Sequence, residues 1–433
     1  MNAYIQRIID QVKKRDASEP EFIQTVEEVL YSIAPMVEKH PEYEKAGLLE
    51  RLVEPERCIS FKVSWVDDNG KVQVNRGYRV QFNGAIGPYK GGIRFHPSVN
   101  WAIMKFLGFE QTFKDALSGL PIGGAKGGSD FDPRGKSDAE VMRFCQSFMT
   151  ELYRHIGPDV DVPAGDLGCG GREIGYMYGQ YRRIKGAFEN GAFTGKGIPF
   201  GGSLARTEAT GYGAVYYAQE VFKHFGEEVK GKKFVISGFG NVAWGVVQKI
   251  NQLGGKVIAI SGPDGYIYDP DGVNKGEKED YMLVMRASGR DKVKDYADKF
   301  GVKFVAGKKP WEVKADVYMP CATQNEINMD EAKKITSSGA KYYIEVANMP
   351  TTNDALKFIQ DSGMLVAPSK AVNAGGVSTS ALEMSQNSMR YSWTFEEVDA
   401  KLHEIMKNIY SNSVAAAEEA GLGYNLVAGA NLA

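Results

Sequence analysis

The 433-residue sequence is poor in cysteine and histidine, with four of the first and five of the second. The cysteines lie far apart and form no Cys-x-x-Cys pair. Because zinc sites are built from clustered cysteines and histidines, we expect no metal centre. A disulfide framework is uncommon in a chain of this length, so a reducing compartment is favoured, with the cytoplasm as the default.

The sequence also lacks an excess of one charge sign and any long apolar run. Lysine and arginine total 52 against 54 for aspartate and glutamate, a formal net charge of −2. This balance provides no basic footprint for nucleic acid or an anionic membrane surface. The chain has no run of the roughly 18 apolar residues that a membrane span needs, and its N-terminus lacks the apolar core of a signal peptide. We therefore expect neither nucleic acid nor a membrane as a partner.

Glycine, in contrast, is abundant, with 50 residues. Clustered glycine indicates tight turns or a close approach of the backbone to a ligand. Several clusters also contain lysine, aspartate or serine, which a purely structural loop does not require. The clusters lie at 84–92, 119–128, 165–175, 195–202, 238–245 and 375–376.

The first half of the chain predicts a mixed α/β domain. Residues 1–50 show helical spacing of apolar residues, and residues 59–65 and 72–82 alternate apolar and polar residues around an Asp-Asp-Asn-Gly turn, as in a β-hairpin. Between 101 and 155, helical patterns alternate with glycine-rich loops. The glycine-rich stretch 190–203 predicts a domain boundary near its end.

The second half predicts a doubly wound, Rossmann-type nucleotide-binding domain, so the expected fold class is α/β with two domains. A strand at 234–236 precedes a helix at 241–253 and a second strand at 257–260. Alternation of strands and helices indicates a parallel sheet covered by helices. Further strand-like runs, separated by helical segments, lie at 315–319, 342–346 and 364–367.

The segment GFGNVA at 238–243 fits the G-x-G-x-x-A pattern of a dinucleotide site. The first glycine permits a tight turn, and the second lets the backbone approach a pyrophosphate bound at the helix N-terminus. The flanking strands and helix favour nucleotide binding over a structural turn. Asp264, near the end of the second strand, suits a ribose 2′-hydroxyl and would repel a 2′-phosphate, so NAD is favoured over NADP. Alternatively, Asp264 only begins a Pro-Asp-Gly turn.

Three lysines flanked by glycine or aromatic residues precede this domain, namely Lys90, Lys114 and Lys126. Lys126 stands among small and apolar residues. In such surroundings, burial and nearby cations can lower the pKa of an ammonium group enough for proton transfer at neutral pH. Two further lysines in one cleft would hold two carboxylates, although each lysine is alternatively just solvated. Asp166, in a Gly/Ala-rich loop with Asp161 nearby, is either a proton-transfer group or a helix-capping or turn residue.

These motifs resemble those of the glutamate dehydrogenases, within the amino-acid dehydrogenase superfamily, over essentially the whole chain. FGNVAWG and SGPDGYIYD resemble most the bacterial, hexameric, NAD-linked enzymes, which implies a homohexamer. The chain ends at NLVAGANLA, whereas relatives usually continue with one more helix, so we expect a shortened chain. The resemblance is carried by KGGIRFHP at 90–97, LPIGGAKGG at 120–128, PAGDLGCGGREIGY at 163–176, ARTEATGYG at 205–213, SGFGNVAWG at 237–245 and PSKAVNAGGV at 368–377.

The resemblance implies reversible conversion of L-glutamate to 2-oxoglutarate and ammonia, with NAD or alternatively NADP. Lys126 would activate water and polarise the substrate carbonyl, and Asp166 would move protons to and from ammonia and the imine. The other implied contacts are Lys90 and Ser380 to the side-chain carboxylate, Lys114 and Gln111 to the α-carboxylate, Asn373, Gly376 and Val377 along the cleft, and Arg206, Thr210, Gly238, Phe239, Gly240, Asn241 and Val242 to the dinucleotide.

The resemblance also implies a division of labour between domains. Residues 1–202, rejoined by 424–433, would bind substrate and form the oligomer, and residues 203–423 would bind the dinucleotide. Leucine and phenylalanine dehydrogenases are similar but have an apolar residue at the position of Lys90, so they are the alternative that this lysine disfavours. A non-catalytic nucleotide sensor is the other alternative, and it would need neither Lys126 nor Asp166.

Overall fold

The computed structural model describes residues 2–274, 276–288 and 292–433, and the chain divides into two compact units. Among the described helices, none is long and apolar enough to cross a membrane. Unit 1 comprises residues 1–204, 377–398 and 432, and unit 2 comprises residues 205–376, 399–431 and 433.

Unit 1 is built on a five-stranded mixed sheet of order β1-β2-β4-β3-β5. The predicted hairpin is confirmed, because β1 and β2 pair antiparallel with Trp65 opposite Gln73. β4 is antiparallel to β2, whereas β3 is parallel to both β4 and β5. The strands are β1 (Arg57–Val66), β2 (Val72–Asn83), β3 (Tyr89–Phe95), β4 (Gly123–Ser129) and β5 (Asp161–Gly165).

Helices cover the sheet of unit 1 through two apolar clusters. One cluster joins the first two helices and α5 to β2, and the other joins α6 and α7 to β1 and β3. Ser137 and Glu140 form a capping box that fixes the start of α6. The helices are α1 (Ala3–Arg15), α2 (Pro20–Lys39), α3 (Glu42–Lys45), α4 (Leu48–Leu52), α5 (Trp101–Leu117), α6 (Asp138–Leu152) and α7 (Gly171–Lys185).

The glycine-rich segment Gly123–Ser129 is a buried strand, β4, whereas we predicted a loop here. A Cβ at Gly124 would lie 2.1 Å from Thr112 Oγ1 of α5, and one at Gly128 would lie 2.5 Å from Arg94 O of β3. The glycines therefore allow α5 and β3 to pack directly on the β4 backbone. Glycine has a low strand propensity and no side chain to show alternation, which explains the wrong prediction.

Unit 2 contains a seven-stranded sheet of order β12-β11-β10-β6-β7-β8-β9. The five strands from β12 to β7 are parallel, as predicted, and β8 and β9 extend the sheet antiparallel. We did not predict β8 or β9. The strands are β6 (Lys233–Ile236), β7 (Lys256–Gly262), β8 (Gly265–Tyr268), β9 (Lys303–Ala306), β10 (Val317–Met319), β11 (Tyr342–Ile344) and β12 (Leu365–Ala367).

The strand order places β6 at the centre, with β7 on one side and β10 on the other. Ligands of such sheets bind outside the carboxyl ends of the strands where the order reverses, which here is the end of β6. The remaining helices are α8 (Ala209–His224), α9 (Asn241–Gln252), α10 (Glu277–Ala287), α11 (Lys294–Phe300), α12 (Met329–Ser337), α13 (Asn353–Asp361), α14 (Ser369–Val372), α15 (Gly375–Met389), α16 (Phe395–Glu419) and α17 (Leu426–Leu432).

The division into units differs from the prediction at the C-terminal end. The segment that belongs with unit 1 is 377–398, most of α15 and the start of α16. Residues 424–433, which we expected to rejoin the first domain, lie in unit 2 apart from Leu432. The first boundary falls after Leu204, close to the predicted 202.

Candidate active site

One carboxylate in unit 1 contacts two cations. Lys126 Nζ lies 3.0 Å from Asp166 Oδ2. Arg94 Nε donates to the same oxygen at 2.9 Å. The Lys126 side chain is 9% exposed and that of Asp166 is 24% exposed, so the pair is reachable from solvent mainly at the carboxylate. The structure thus brings together the two residues that we predicted to be catalytic and adds Arg94.

Glycine at two positions of β3 makes this pairing possible. β3 lies between β4, which carries Lys126, and β5, which ends just before Asp166. A Cβ at Gly92 would lie 2.8 Å from Asp166 Cβ, and one at Gly91 would lie 1.7 Å from a β4 carbonyl oxygen. Any larger residue would force these strands apart, so the KGG motif is explained by close packing around the pair.

The two cations determine the protonation of Asp166. Burial alone would raise the pKa of Asp166, but Lys126 and Arg94 more than offset burial and hold the pKa at about 2. Asp166 is therefore ionised at neutral pH in the free protein. Its ion pair also holds Lys126 Nζ in one place, as general acid–base chemistry requires.

Lys90 is a buried cation with fixed partners, not a solvated surface lysine. It is 1% exposed. Its Nζ donates to Val162 O at 3.0 Å and to Thr194 Oγ1 at 2.8 Å. Ser380 is also buried, in α15 within the part of the chain that belongs to unit 1. Sequence analysis missed Thr194, because its motif carries no sign of a partner 104 residues earlier.

The third predicted lysine lies in the last turn of α5 beside a buried acid. Burial lowers the pKa of Lys114 to about 8, and the Lys126 charge also lowers it, although Asp115 opposes the shift. Gln111 Nε2 donates to Asp115 Oδ1 at 2.7 Å. Burial raises the pKa of Asp115 well above the usual range. Sequence analysis missed Asp115, whose burial depends on the packing of α5 against β4.

The glycine-rich loop of unit 2 joins β6 to α9 as the G-x-G-x-x-A pattern predicts. Gly238 has φ +91°, and a Cβ there would lie 3.0 Å from Cys321 O. Only glycine tolerates this conformation readily. A Cβ at Gly240 would meet no described protein atom within 4 Å, so the loop is open on that side. The amides of Asn241 and Val242 begin α9, and such a helix N-terminus favours a phosphate.

Two further residues define the surroundings of this loop. Asp264 lies in the turn between β7 and β8, and its carboxylate accepts hydrogen bonds from the backbone amides of Val293 and Lys294 at 3.0 Å each. Arg286 of α10 donates to Phe239 O at 3.2 Å and through two nitrogens to Asn241 Oδ1. Sequence analysis missed Arg286, because its contacts with this loop form only in the folded chain.

The other predicted unit 2 residues cluster where α8 meets the start of α15. A Cβ at Gly376 would lie 2.7 Å from Thr210 Oγ1 and 3.7 Å from Arg206 Nη1, so these three residues lie together. Asn373 Nδ2 donates to Asn348 Oδ1 at 2.7 Å. Val377 continues α15 and is assigned to unit 1. Across residues 2–274, 276–288 and 292–433, no group of three or more His, Cys, Asp or Glu side chains is arranged to hold a metal.

Comparison with known proteins places this arrangement in a family. Residues 201–433 match the family model described as glutamate/leucine/phenylalanine/valine dehydrogenase, and residues 55–183 match the model of the dimerisation domain of the same enzymes. The chain belongs to the glutamate/leucine/phenylalanine/valine dehydrogenase family. The resemblance that the sequence motifs suggested is therefore confirmed.

Members of this family match along almost the whole chain. The NAD-specific glutamate dehydrogenase of Clostridium symbiosum is 68% identical, over 100% of this chain and 96% of the relative. That of Bacteroides fragilis is 58% identical, over 99% and 96%. A solved glutamate dehydrogenase structure superposes with a TM-score of 0.96 at 68% identity, over 99% of this chain and 96% of that one. The NADP-specific enzyme of Haemophilus influenzae is 53% identical, over 100% and 96%.

Proposed function

We propose that the protein catalyses the reversible oxidative deamination of L-glutamate to 2-oxoglutarate and ammonia, with NAD as the favoured cofactor and NADP as the alternative. The observation that carries this proposal is the Lys126–Asp166 pair, in which one carboxylate oxygen contacts both the lysine and Arg94. The glutamate dehydrogenases among the relatives support the same reaction.

The substrate would be held by its two carboxylates. Lys114 and Gln111 would bind the α-carboxylate, and Lys90 with Ser380 would bind the side-chain carboxylate. Lys90 is buried and anchored by Val162 and Thr194, so its ammonium is held in a fixed position from which it could bind a second carboxylate. A site that binds a side-chain carboxylate favours glutamate over leucine or phenylalanine, which lack this group.

The chemistry would be divided between the paired residues. A bound nicotinamide cofactor would supply the hydride acceptor, and loss of hydride from Cα would leave the substrate as an iminium. Lys126 would then take a proton from water as the water adds to Cα. Asp166, ionised in the free protein, would accept the proton of the newly added hydroxyl group and return it to the leaving nitrogen, so that ammonia departs and the carbonyl forms.

The loop of unit 2 fits a dinucleotide. Gly238 allows the tight turn, Gly240 leaves open space, and α9 offers its N-terminus to the pyrophosphate. Asp264 would accept from a ribose 2′-hydroxyl and repel a 2′-phosphate, which favours NAD. Arg286 beside the loop provides a cation that keeps NADP as the alternative. We also propose that Arg206 and Thr210 contact the cofactor and that Asn373, Gly376 and Val377 contact the substrate.

We also propose a homohexamer that works in the cytoplasm without nucleic acid or a membrane. The match of residues 55–183 to a dimerisation domain supports self-association. We further propose that residues 1–202 serve substrate binding and assembly and that residues 203–423 bind the dinucleotide. Residues 424–433 lie in unit 2 apart from Leu432. Size measurement in solution tests the hexamer directly.

The first test of the proposed function is a steady-state assay of the purified chain. We expect turnover of glutamate with NAD, weaker turnover with NADP, and little with leucine or phenylalanine. Greater activity with NADP would overturn the role of Asp264 but keep the reaction. Absence of turnover with glutamate in a folded protein, together with activity on leucine or phenylalanine, would contradict the substrate assignment.

The pKa of Lys114 predicts a pH-dependent affinity for 2-oxoglutarate. Below pH 8 the side chain is protonated and binds the α-carboxylate, and above pH 8 it loses its charge. We expect the Kd to rise by up to about tenfold per pH unit above that point, as a single coupled proton requires. Calorimetric titration between pH 6.5 and 9.5 measures this, because 2-oxoglutarate itself does not titrate in that range.

A Lys114→Arg variant provides the control, because a guanidinium stays charged across these pH values. Its Kd should vary much less with pH. An equally steep alkaline weakening in this variant would show that another group is responsible.

A further inference from the structure

Lys196 is a further buried lysine of unit 1, and it is not among the residues assigned so far. Lys196 Nζ donates to Glu383 Oε1 at 2.7 Å, to Asn387 Oδ1 at 2.8 Å and to Phe193 O. The side chains of Lys196 and Glu383 are 1% and 0% exposed. The three donors of the ammonium are thus all used, which fixes its position.

Glu383 also holds the backbone next to this lysine. Its Oε2 accepts from Gly195 N at 2.9 Å, and its Oε1 accepts from Lys196 N at 3.4 Å. Asn387 Nδ2 donates to Gly201 O at 2.6 Å. One helix, α15, therefore fastens the segment 193–201 by an ion pair and by several hydrogen bonds. A buried ion pair is costly to desolvate, so its geometry is held only where these partners are complete.

The Lys196–Glu383 ion pair lies next to the residues that we assign to the side-chain carboxylate. Thr194 is in the fastened segment, and its hydroxyl accepts from Lys90 Nζ. Ser380 precedes Glu383 by three positions and Asn387 by seven, so the three residues share one face of α15. The same ion pair therefore connects Thr194 on the loop to Ser380 on the helix.

We propose that Lys196 and Glu383 are positioning residues that set the distance from Lys90 and Thr194 to Ser380, and thereby the specificity for a substrate with a side-chain carboxylate. This inference rests on the proposed function. The two residues act through Thr194 and Ser380 and do not touch the substrate. Loss of the ion pair should loosen the carboxylate site and leave the Lys126–Asp166 pair in place.

The test compares 2-oxoglutarate with 2-oxopentanoate, which has the same chain length but no second carboxylate, in reductive amination. In Lys196→Met and Glu383→Gln, we expect kcat/KM for 2-oxoglutarate to fall by about tenfold to 100-fold, mainly through KM, because small misplacements have effects of this size. The value for 2-oxopentanoate should change much less, so the ratio between the substrates falls. Glutarate should also become a weaker competitive inhibitor.

Matched variants separate positioning from stability. Lys105→Met removes another buried lysine of unit 1, one that pairs with Asp16 at 2.8 Å, and should not change the ratio even if it lowers the melting temperature. Asn387→Ala removes two hydrogen bonds, to Lys196 and to Gly201, but leaves the Lys196–Glu383 ion pair, and should lower the ratio less than Lys196→Met. It also provides a result if the stronger variants do not fold.

Two outcomes would overturn the inference. One is an unchanged ratio in folded Lys196→Met and Glu383→Gln, and the other is an equal loss for both substrates in these variants and in Asn387→Ala. Failure of the proposed function would differ, because wild-type protein would then show no turnover of 2-oxoglutarate.

Discussion

Replacing Lys126 with alanine is expected to lower kcat by about 1,000-fold, which is within the usual range for a positioned acid–base group. The lysine is the group that we propose to activate water, and Asp166 alone cannot replace it. Arg94 would still donate to Asp166, so the substitution leaves no buried carboxylate without a cation. The fold should therefore survive, and the loss should appear in kcat more than in KM.

Steady-state kinetics with glutamate and NAD measures this loss, and circular dichroism checks the fold. Lys105→Ala is the control, because Lys105 is as buried as Lys126 and is also paired with an acid. It should retain most of the activity. If Lys126→Ala lost no more activity than Lys105→Ala, the assignment of Lys126 as the acid–base residue would be wrong.

The elements that could be predicted are those with a strong local pattern. The β1–β2 hairpin alternates along both strands around an Asn-Gly turn, and β6, α9 and β7 form one continuous βα unit. β4 was not predicted, because its glycines allow α5 and β3 to pack closely against it, and the local sequence carries no sign of that packing. We did not predict β8 and β9, which join the sheet antiparallel through pairing with β7 and with each other.

The site residues also differ in whether a local motif identifies them. Lys126 and Asp166 were predicted from motifs, and the structure places them 3.0 Å apart. Thr194, Asp115 and Arg286 were not predicted, because each is defined by a contact made only in the folded chain. The placement of residues 424–433 with the first domain came from the resemblance to relatives and not from a local pattern, whereas in the structure these residues lie in unit 2 apart from Leu432.

The second aspartate of this region has a structural role and predicts a large loss of stability. Asp161 is fully buried and accepts from Arg79 through both oxygens, with the Nε contact at 2.8 Å. Gln81 donates to the same carboxylate at 3.0 Å, and Arg79 also donates to Gly91 O at 3.1 Å. This pair connects β2, β3 and β5 beneath the site. The sequence shows only that Asp161 lies near Asp166, whereas its contacts show an ion pair that holds the sheet.

In Asp161→Asn the guanidinium of Arg79 would remain buried with no charged partner. Breaking a buried pair in this way costs about 3–5 kcal/mol of unfolding free energy. Urea unfolding, followed by tryptophan fluorescence, measures the change. Asp132→Asn is the matched control, because Asp132 pairs with Arg134 in the same two-pronged geometry on the surface, where the loss should be small.

The double variant Arg79→Met/Asp161→Leu tests whether the unpaired buried charge of Arg79 causes the loss of stability in Asp161→Asn. Removing both partners leaves no isolated ion, so part of the lost stability should return. If the double variant were less stable than Asp161→Asn by the full cost of a second buried substitution, packing and not charge would account for the effect. If Asp161→Asn were as stable as the wild-type protein but inactive, Asp161 would instead belong with Lys126 and Asp166 in proton transfer.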